Sequence, residues 1–126
     1  MKARHLNPAA IAALALAAAI VALPAAAGAG TLTKTKNVGV GDDFYAPTKV
    51  QVAKGGTVKW TWASANRHPH SVTLTKGPKG TKIKKFRSQV RVSGYSFQRQ
   101  FKVPGTYSFH CVVHPTSMRM KVVVGG

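Results

Sequence analysis

The chain has 126 residues, of which 19 are Lys or Arg and only two are acidic, giving a formal net charge of +17. That length holds one domain and little more. The charge points to an anionic partner or surface, with a solvated basic face as the plainer reading, and the single cysteine excludes an internal disulfide.

The chain opens on what reads as an address label. Met1-Lys2-Ala3-Arg4-His5 is short and basic, residues 8–23 form an unbroken apolar run, and Pro24-Ala25-Ala26-Ala27-Gly28-Ala29 is small-residue sequence with two Ala-x-Ala frames. This is the layout of a secretory signal peptide, with cleavage expected after Ala27 or Ala29. An uncleaved anchor is the alternative, but a run of 16 residues is shorter than the ~20 of a spanning helix. No membrane span is therefore expected after cleavage. The absence of a cysteine near residue 30 excludes a bacterial lipoprotein anchor. The expected organisation is a signal peptide at 1–29 and one domain at 30–126. The product is exported to a periplasm, a cell wall or the extracellular space. Without Lys2 and Arg4 the charge falls from +17 to +15 on 97 residues, a standard size for a β-sandwich. Export argues against nucleic acid as the anionic partner and for an acidic protein or an anionic envelope surface. It also makes a lone cysteine notable, because oxidising compartments favour paired ones. Such a residue is a reactive thiol, an intermolecular bridge or a metal ligand.

Residues 32–40 read as a first strand, and Gly41-Asp42-Asp43 as a turn. Phe44-Tyr45-Ala46-Pro47 leads into the short alternating strand Val50-Gln51-Val52, and Lys54-Gly55-Gly56 is a hairpin-type turn. Val58-Lys59-Trp60-Thr61-Trp62 alternates, with Val58, Trp60 and Trp62 on one core-facing side. Residues 63–69 are loop, 71–75 strand and 77–80 loop. Residues 82–91 carry five basic side chains around Ile83, Phe86 and Val90 and read as a strand or an irregular excursion. Tyr95 to Phe101 alternates aromatic and polar residues. Val103-Pro104-Gly105-Thr106 is a turn, with proline presetting one corner and glycine supplying positive φ. Tyr107, Phe109 and Cys111 form the inward set of the next strand, and residues 118–124 close the domain. Nothing after residue 28 has a helical period. Seven or eight short strands separated by Gly and Pro turns give an all-β class, an antiparallel β-sandwich.

The chemistry concentrates after Phe109. Cys111 is followed at three residues by His114 and at seven by Met118. Thiolate, imidazole and thioether on one tight loop suit copper. Parity turns Cys111 inward, Pro115 stiffens the return of the chain, and Met118 begins the next strand. A fourth ligand must come from elsewhere. His70 shares parity with Val72 and Leu74. His68 is the rival, but Pro69 separates it from the strand and turns it to solvent. His110 alternates with Cys111 and should face outward.

Val58-Lys59-Trp60, Pro69-His70-Ser71-Val72 and Tyr107-Ser108-Phe109-His110-Cys111-Val112-Val113-His114-Pro115 running into Met118 resemble a small cupredoxin of the plastocyanin and amicyanin type. Asp43-x-Tyr45-x-Pro47 and Lys54-Gly55-Gly56-Thr57-Val58 are similar to exported bacterial members. The resemblance spans about residues 38–124. It implies a Greek-key sandwich holding one copper ion through His70, Cys111 and His114, with Met118 as the weak axial ligand. It departs from the pattern twice. One residue is inserted between Pro115 and Met118, which leaves Met120 as a competing thioether. Ser71 stands where the family commonly has an asparagine that ties the ligand loops together through a Ser or Thr after the cysteine. Val112 occupies that second place, so that bridge should be absent or replaced by backbone contacts.

The reading is an electron-transfer copper protein, a redox module and not an enzyme, and a monomer. Its partner would be an acidic redox protein or an anionic envelope surface, with the ring edge of His114 as the electron exit. A copper carrier, storage or tolerance protein would use the same ligands. Multicopper oxidases and two-site nitrite reductases need further histidine clusters, and the domain has only four histidines. A cysteine nucleophile paired with His114 would need an accessible, low-pKa thiol and an orienting carboxylate, and the only acids are Asp42 and Asp43. Zinc would leave Met118 without a purpose.

Overall fold

The computed structural model describes residues 35–126, and the expected signal peptide lies outside them. Eight strands follow in order: β1 (Thr35–Gly41), β2 (Phe44–Ala46), β3 (Lys49–Ala53), β4 (Thr57–Trp62), β5 (Thr73–Lys76), β6 (Ser96–Gln100), β7 (Gly105–His110) and β8 (Arg119–Gly125). They form two four-stranded sheets, ordered β2-β1-β4-β6 and β3-β8-β7-β5. The sandwich and its strand count agree with the sequence reading.

The pairing is mixed and not purely antiparallel. β1 runs parallel to β4, and β3 parallel to β8. Alternation identifies a strand and its inward face but carries no information about the direction of its partner. For the same reason the turn at 54–56, expected to close a hairpin, instead carries the chain from one sheet to the other. β3 pairs only with β8, while β4 lies between β1 and β6. Gly55 supplies the positive φ of 89° that this crossing needs. Residues 82–91 resolve as an irregular excursion, with one 3-10 turn at Ile83–Lys85 and isolated bridges from Arg91 to His70 and from Arg87 to Thr73.

The inward faces are those that parity assigns. Val58, Trp60 and Trp62 are buried, as are Tyr107, Phe109 and Cys111. Trp60 centres the core. It lies against Phe97, Phe101 and Phe109 at centroid distances of 5.7, 6.5 and 5.2 Å, tilted pairs each worth about 0.5–1.5 kcal/mol beyond the area they bury. Its indole N–H donates to the sulfur of Met120 at 3.0 Å. That contact satisfies a donor which burial would otherwise strand.

The topology gathers three connections at one end. β1 and β4 are parallel, so the β1–β2 turn and the loop after β4 emerge together. β7 ends where antiparallel β5 and β8 begin, with His110 opposite both Thr73 and Arg119. Asp42 and Asp43, residues 63–72, and residues 111–118 therefore share one end of the sandwich.

Candidate metal centre

His70, Cys111 and His114 meet there, each offering a ligand atom within 4.8 Å of the others. Cys111 continues the inward face of β7 and is wholly buried. The chain then turns back on itself. Cys111 N–H donates to Met118 C=O at 3.0 Å, His114 N–H to Cys111 C=O at 3.2 Å, and Met118 N–H to His114 C=O at 3.0 Å. That last bond closes one full turn over Pro115-Thr116-Ser117. His114 Nδ1 comes to 3.8 Å from Cys111 Sγ. Sulfur and nitrogen bound to one first-row ion at roughly 2.3 and 2.0 Å stand ~3.5–3.8 Å apart between tetrahedral and trigonal angles. The spacing fits.

His70 is pinned by its backbone. It exchanges both hydrogen bonds with Arg91, at 2.8 and 2.9 Å, and its carbonyl accepts from the Trp62 indole at 3.2 Å. Its ring is completely buried, and Nδ1 is the one buried side-chain nitrogen or oxygen among the described residues without a hydrogen-bond partner. Leaving such a lone pair unmet costs about 1–3 kcal/mol. A metal bound beside the Cys111 sulfur would meet it. Met118 is wholly buried at the head of β8, whereas the sulfur of Met120 is already engaged by Trp60. Met120 therefore belongs to the core beneath the site.

The bridge expected to be missing at Ser71 takes the backbone form. Val112 N–H donates to Ser71 Oγ at 3.0 Å, and Ser71 N–H points at Cys111 Sγ at 3.4 Å. The hydroxyl of Tyr45 donates to the Ser71 carbonyl, and burial, with the nearby Cys111 sulfur, pushes that phenol far above its ordinary range. It stays a neutral donor.

Sequence reasoning missed the carboxylates. Cys111 and His114 were expected to lack an orienting acid, yet both acids of the chain lie at the histidines. Asp42 Oδ1 accepts from His70 Nε2 at 2.9 Å, and Asp43 Oδ1 makes an ion-pair contact with His114 Nε2 at 3.0 Å. The side chain of His68 is 56% exposed, as Pro69 suggested, but its Nδ1 stands 3.3 Å from Asp43 Oδ1. The hydrogen bond from His70 and the backbone N–H groups of Arg67 and His68 hold the Asp42 carboxyl well below the usual carboxylate range. The signal was available, since two adjacent acids in a chain with 19 cations must have a local reason. Their distance from the site, 28 residues to His70, hid it. His114, whose ring edge was expected as the electron exit, is only partly exposed. Its side chain is 24% exposed and its outer nitrogen is covered by Asp43. His110 lies outside the cluster, in a shallow groove with Thr75 and Arg119.

The sequence profile of the copper-binding proteins of the plastocyanin/azurin family matches residues 33–125. The chain belongs to that family. No curated protein sequence matches it significantly. Among solved structures, amicyanin from Paracoccus versutus (Thiobacillus versutus) aligns with a TM-score of 0.60 at 30% identity, over 71% of this chain and 80% of that one. A purple cupredoxin from Nitrosopumilus maritimus aligns at 0.58 and 26% identity, over 71% and 98%. A fern plastocyanin mutant, at 0.59 and 24% identity over 71% and 99%, shares the fold. Copper is thus the metal this cluster is positioned to hold, in a family of electron carriers.

Proposed function

We propose that the protein is an exported one-electron carrier. His70 Nδ1, Cys111 Sγ and His114 Nδ1 would hold a single copper ion, with the buried Met118 thioether as the candidate fourth, weaker donor. The observation that carries this reading is the unpartnered, wholly buried His70 Nδ1 beside a wholly buried thiol. Copper bound there supplies a Cu(I)/Cu(II) couple. The chain's part is to keep the ligands still. Residues 111–118 are closed by their own backbone hydrogen bonds, His70 is locked to Arg91, and Ser71 ties the two loops together. A frame that changes little between oxidation states favours rapid outer-sphere transfer.

A carrier is favoured over an enzyme because the Cys111 sulfur has no exposed surface for a substrate to reach. Phe44, Val112 and Val113 are exposed beside the ligands. Arg67 and Arg119 border the same loops, through the Arg67 N–H to Asp42 and the Arg119 Nε to the Pro115 carbonyl. This apolar patch with a cationic margin suits an acidic redox partner or an anionic envelope surface. No helix among the described residues is long and apolar enough to cross a membrane, and the basic and apolar opening of the chain supports export.

Cyclic voltammetry of the copper-loaded protein tests the reading. A reversible couple with fast electrode kinetics is expected, together with electron transfer to an acidic partner that slows steeply with salt, since screening sets in over ~10 Å at 0.1 M. A sluggish couple would instead assign the site to copper carriage or storage.

A further inference from the structure

We propose that Asp42 and Asp43, the only acidic residues of the chain, are paired positioning residues that orient the two ligand histidines and bias the site toward Cu(II). This rests on the copper reading above. Each carboxylate takes one histidine, Asp42 Oδ1 at 2.9 Å from His70 Nε2 and Asp43 Oδ1 at 3.0 Å from His114 Nε2. An ionised carboxylate only accepts hydrogen bonds, so His70 Nε2 carries hydrogen, and an oxygen of Asp43 at 3.0 Å favours the same tautomer in His114, since two lone pairs would repel there. In the neutral imidazole this leaves the lone pair on Nδ1, the atom that stands unpartnered in His70 and 3.8 Å from Cys111 Sγ in His114.

The carboxylates are themselves held. Asp42 receives the backbone N–H of Arg67 on Oδ2 at 2.9 Å and that of His68 on Oδ1 at 3.0 Å. Asp43 sits at the second position of the β1–β2 turn with φ of +70°, a conformation uncommon outside glycine that Asp tolerates better than most residues. The His68 ring flanks it from solvent at 3.3 Å. The turn is two residues long, with Gly41 opposite Phe44, and it delivers one carboxylate to each ligand.

The charge balance follows. Cu(II) with one thiolate carries one positive charge and Cu(I) with one thiolate carries none, so each nearby carboxylate stabilises the oxidised site more. Hydrogen bonding to the remote nitrogen also raises ligand basicity, and losing such a partner costs about 10–100-fold in metal affinity. The acids lie at the site and nowhere else on a basic surface, so their field acts locally.

The test compares Asp42→Asn and Asp43→Asn with Gln51→Lys, which makes the same charge change on β3, away from the site. Each Asp variant is expected to lower the ratio of Cu(II) to Cu(I) affinity about tenfold, which raises the potential by about 59 mV for a one-electron couple. Gln51→Lys should move it far less. Histidine tautomers are read independently by nitrogen-15 NMR of the metal-free wild type, where His70 and His114 should both be Nε2–H. A potential shift no larger than that of Gln51→Lys, or a metal-free wild type with Nδ1–H tautomers, overturns the proposal. A wild type that binds copper without a thiolate band would instead overturn the copper reading on which it rests.

Discussion

His70 and His114 reach the same thiol from different parts of the chain and are held in different ways. His70 comes from the loop between β4 and β5. Its backbone is tied to Arg91 and Trp62, its ring has no exposed surface, and the acid behind it is fixed by two backbone donors. His114 comes from the same loop as the cysteine. Its side chain is 24% exposed, and its acid, Asp43, is itself 48% exposed and backed only by a solvent-facing imidazole. His70 is part of the frame, while His114 is the partly exposed side of the cluster, the combination of support and approachable edge that the proposed redox role calls for.

Removing each ring separates the two histidines most directly. His70→Gly and His114→Gly should both lose the thiolate-to-copper band. Added imidazole should restore it in His114→Gly, whose cavity opens to solvent, and should fail in His70→Gly, whose cavity is closed. Equal rescue measured by visible absorption would erase the distinction. The two methionines come next. Met118→Leu should shift the reduction potential, because the axial contact tunes it. Met120→Leu should leave the potential in place while lowering stability by about 1–3 kcal/mol, the cost of stranding the Trp60 indole N–H. Voltammetry and urea unfolding separate the two. Ser71→Ala removes the acceptor for Val112 N–H and with it one of the two ties between the arms, at about 1 kcal/mol in the same unfolding assay.

The smallest effect is on the pH profile. The folded-state pKa of Asp42 is depressed, so its contribution to stability is fully present above its unfolded value of about 3.8 and is lost as pH falls below that. The metal-free protein should lose stability on acidification from about pH 4, and Asp42→Asn should flatten that slope. A variant with an unchanged acid profile would show that the carboxylate is not held by the His70 arm.

Much of this site was legible because spacing and parity are local. Cys111, His114 and Met118 lie within eight residues of chain, and alternation put Cys111 on the buried face of Tyr107 and Phe109. His70 was reached by the same device, although residues 70–74 are all buried and β5 begins only at Thr73, so parity does not distinguish faces there. The position of Asp42 and Asp43 was not legible. It depends on β1 lying parallel to β4, a long-range pairing that alternation does not encode. The Ser71 to Val112 contact was half legible, since its backbone donor is available at any residue type. The excursion through residues 82–91 resisted reading because its conformation is fixed by bridges to the β5 arm and not by any period of its own.

In the proposed centre, one copper ion would sit on the Cys111 thiolate between His70 and His114. Copper(II) titration of the metal-free protein, followed by visible absorption in wild type and Cys111→Ser, tests it most directly. An intense thiolate-to-copper band that saturates at one equivalent in wild type and is absent in Cys111→Ser is the expected result. A band that persists in Cys111→Ser, or none in wild type at one equivalent, would contradict it.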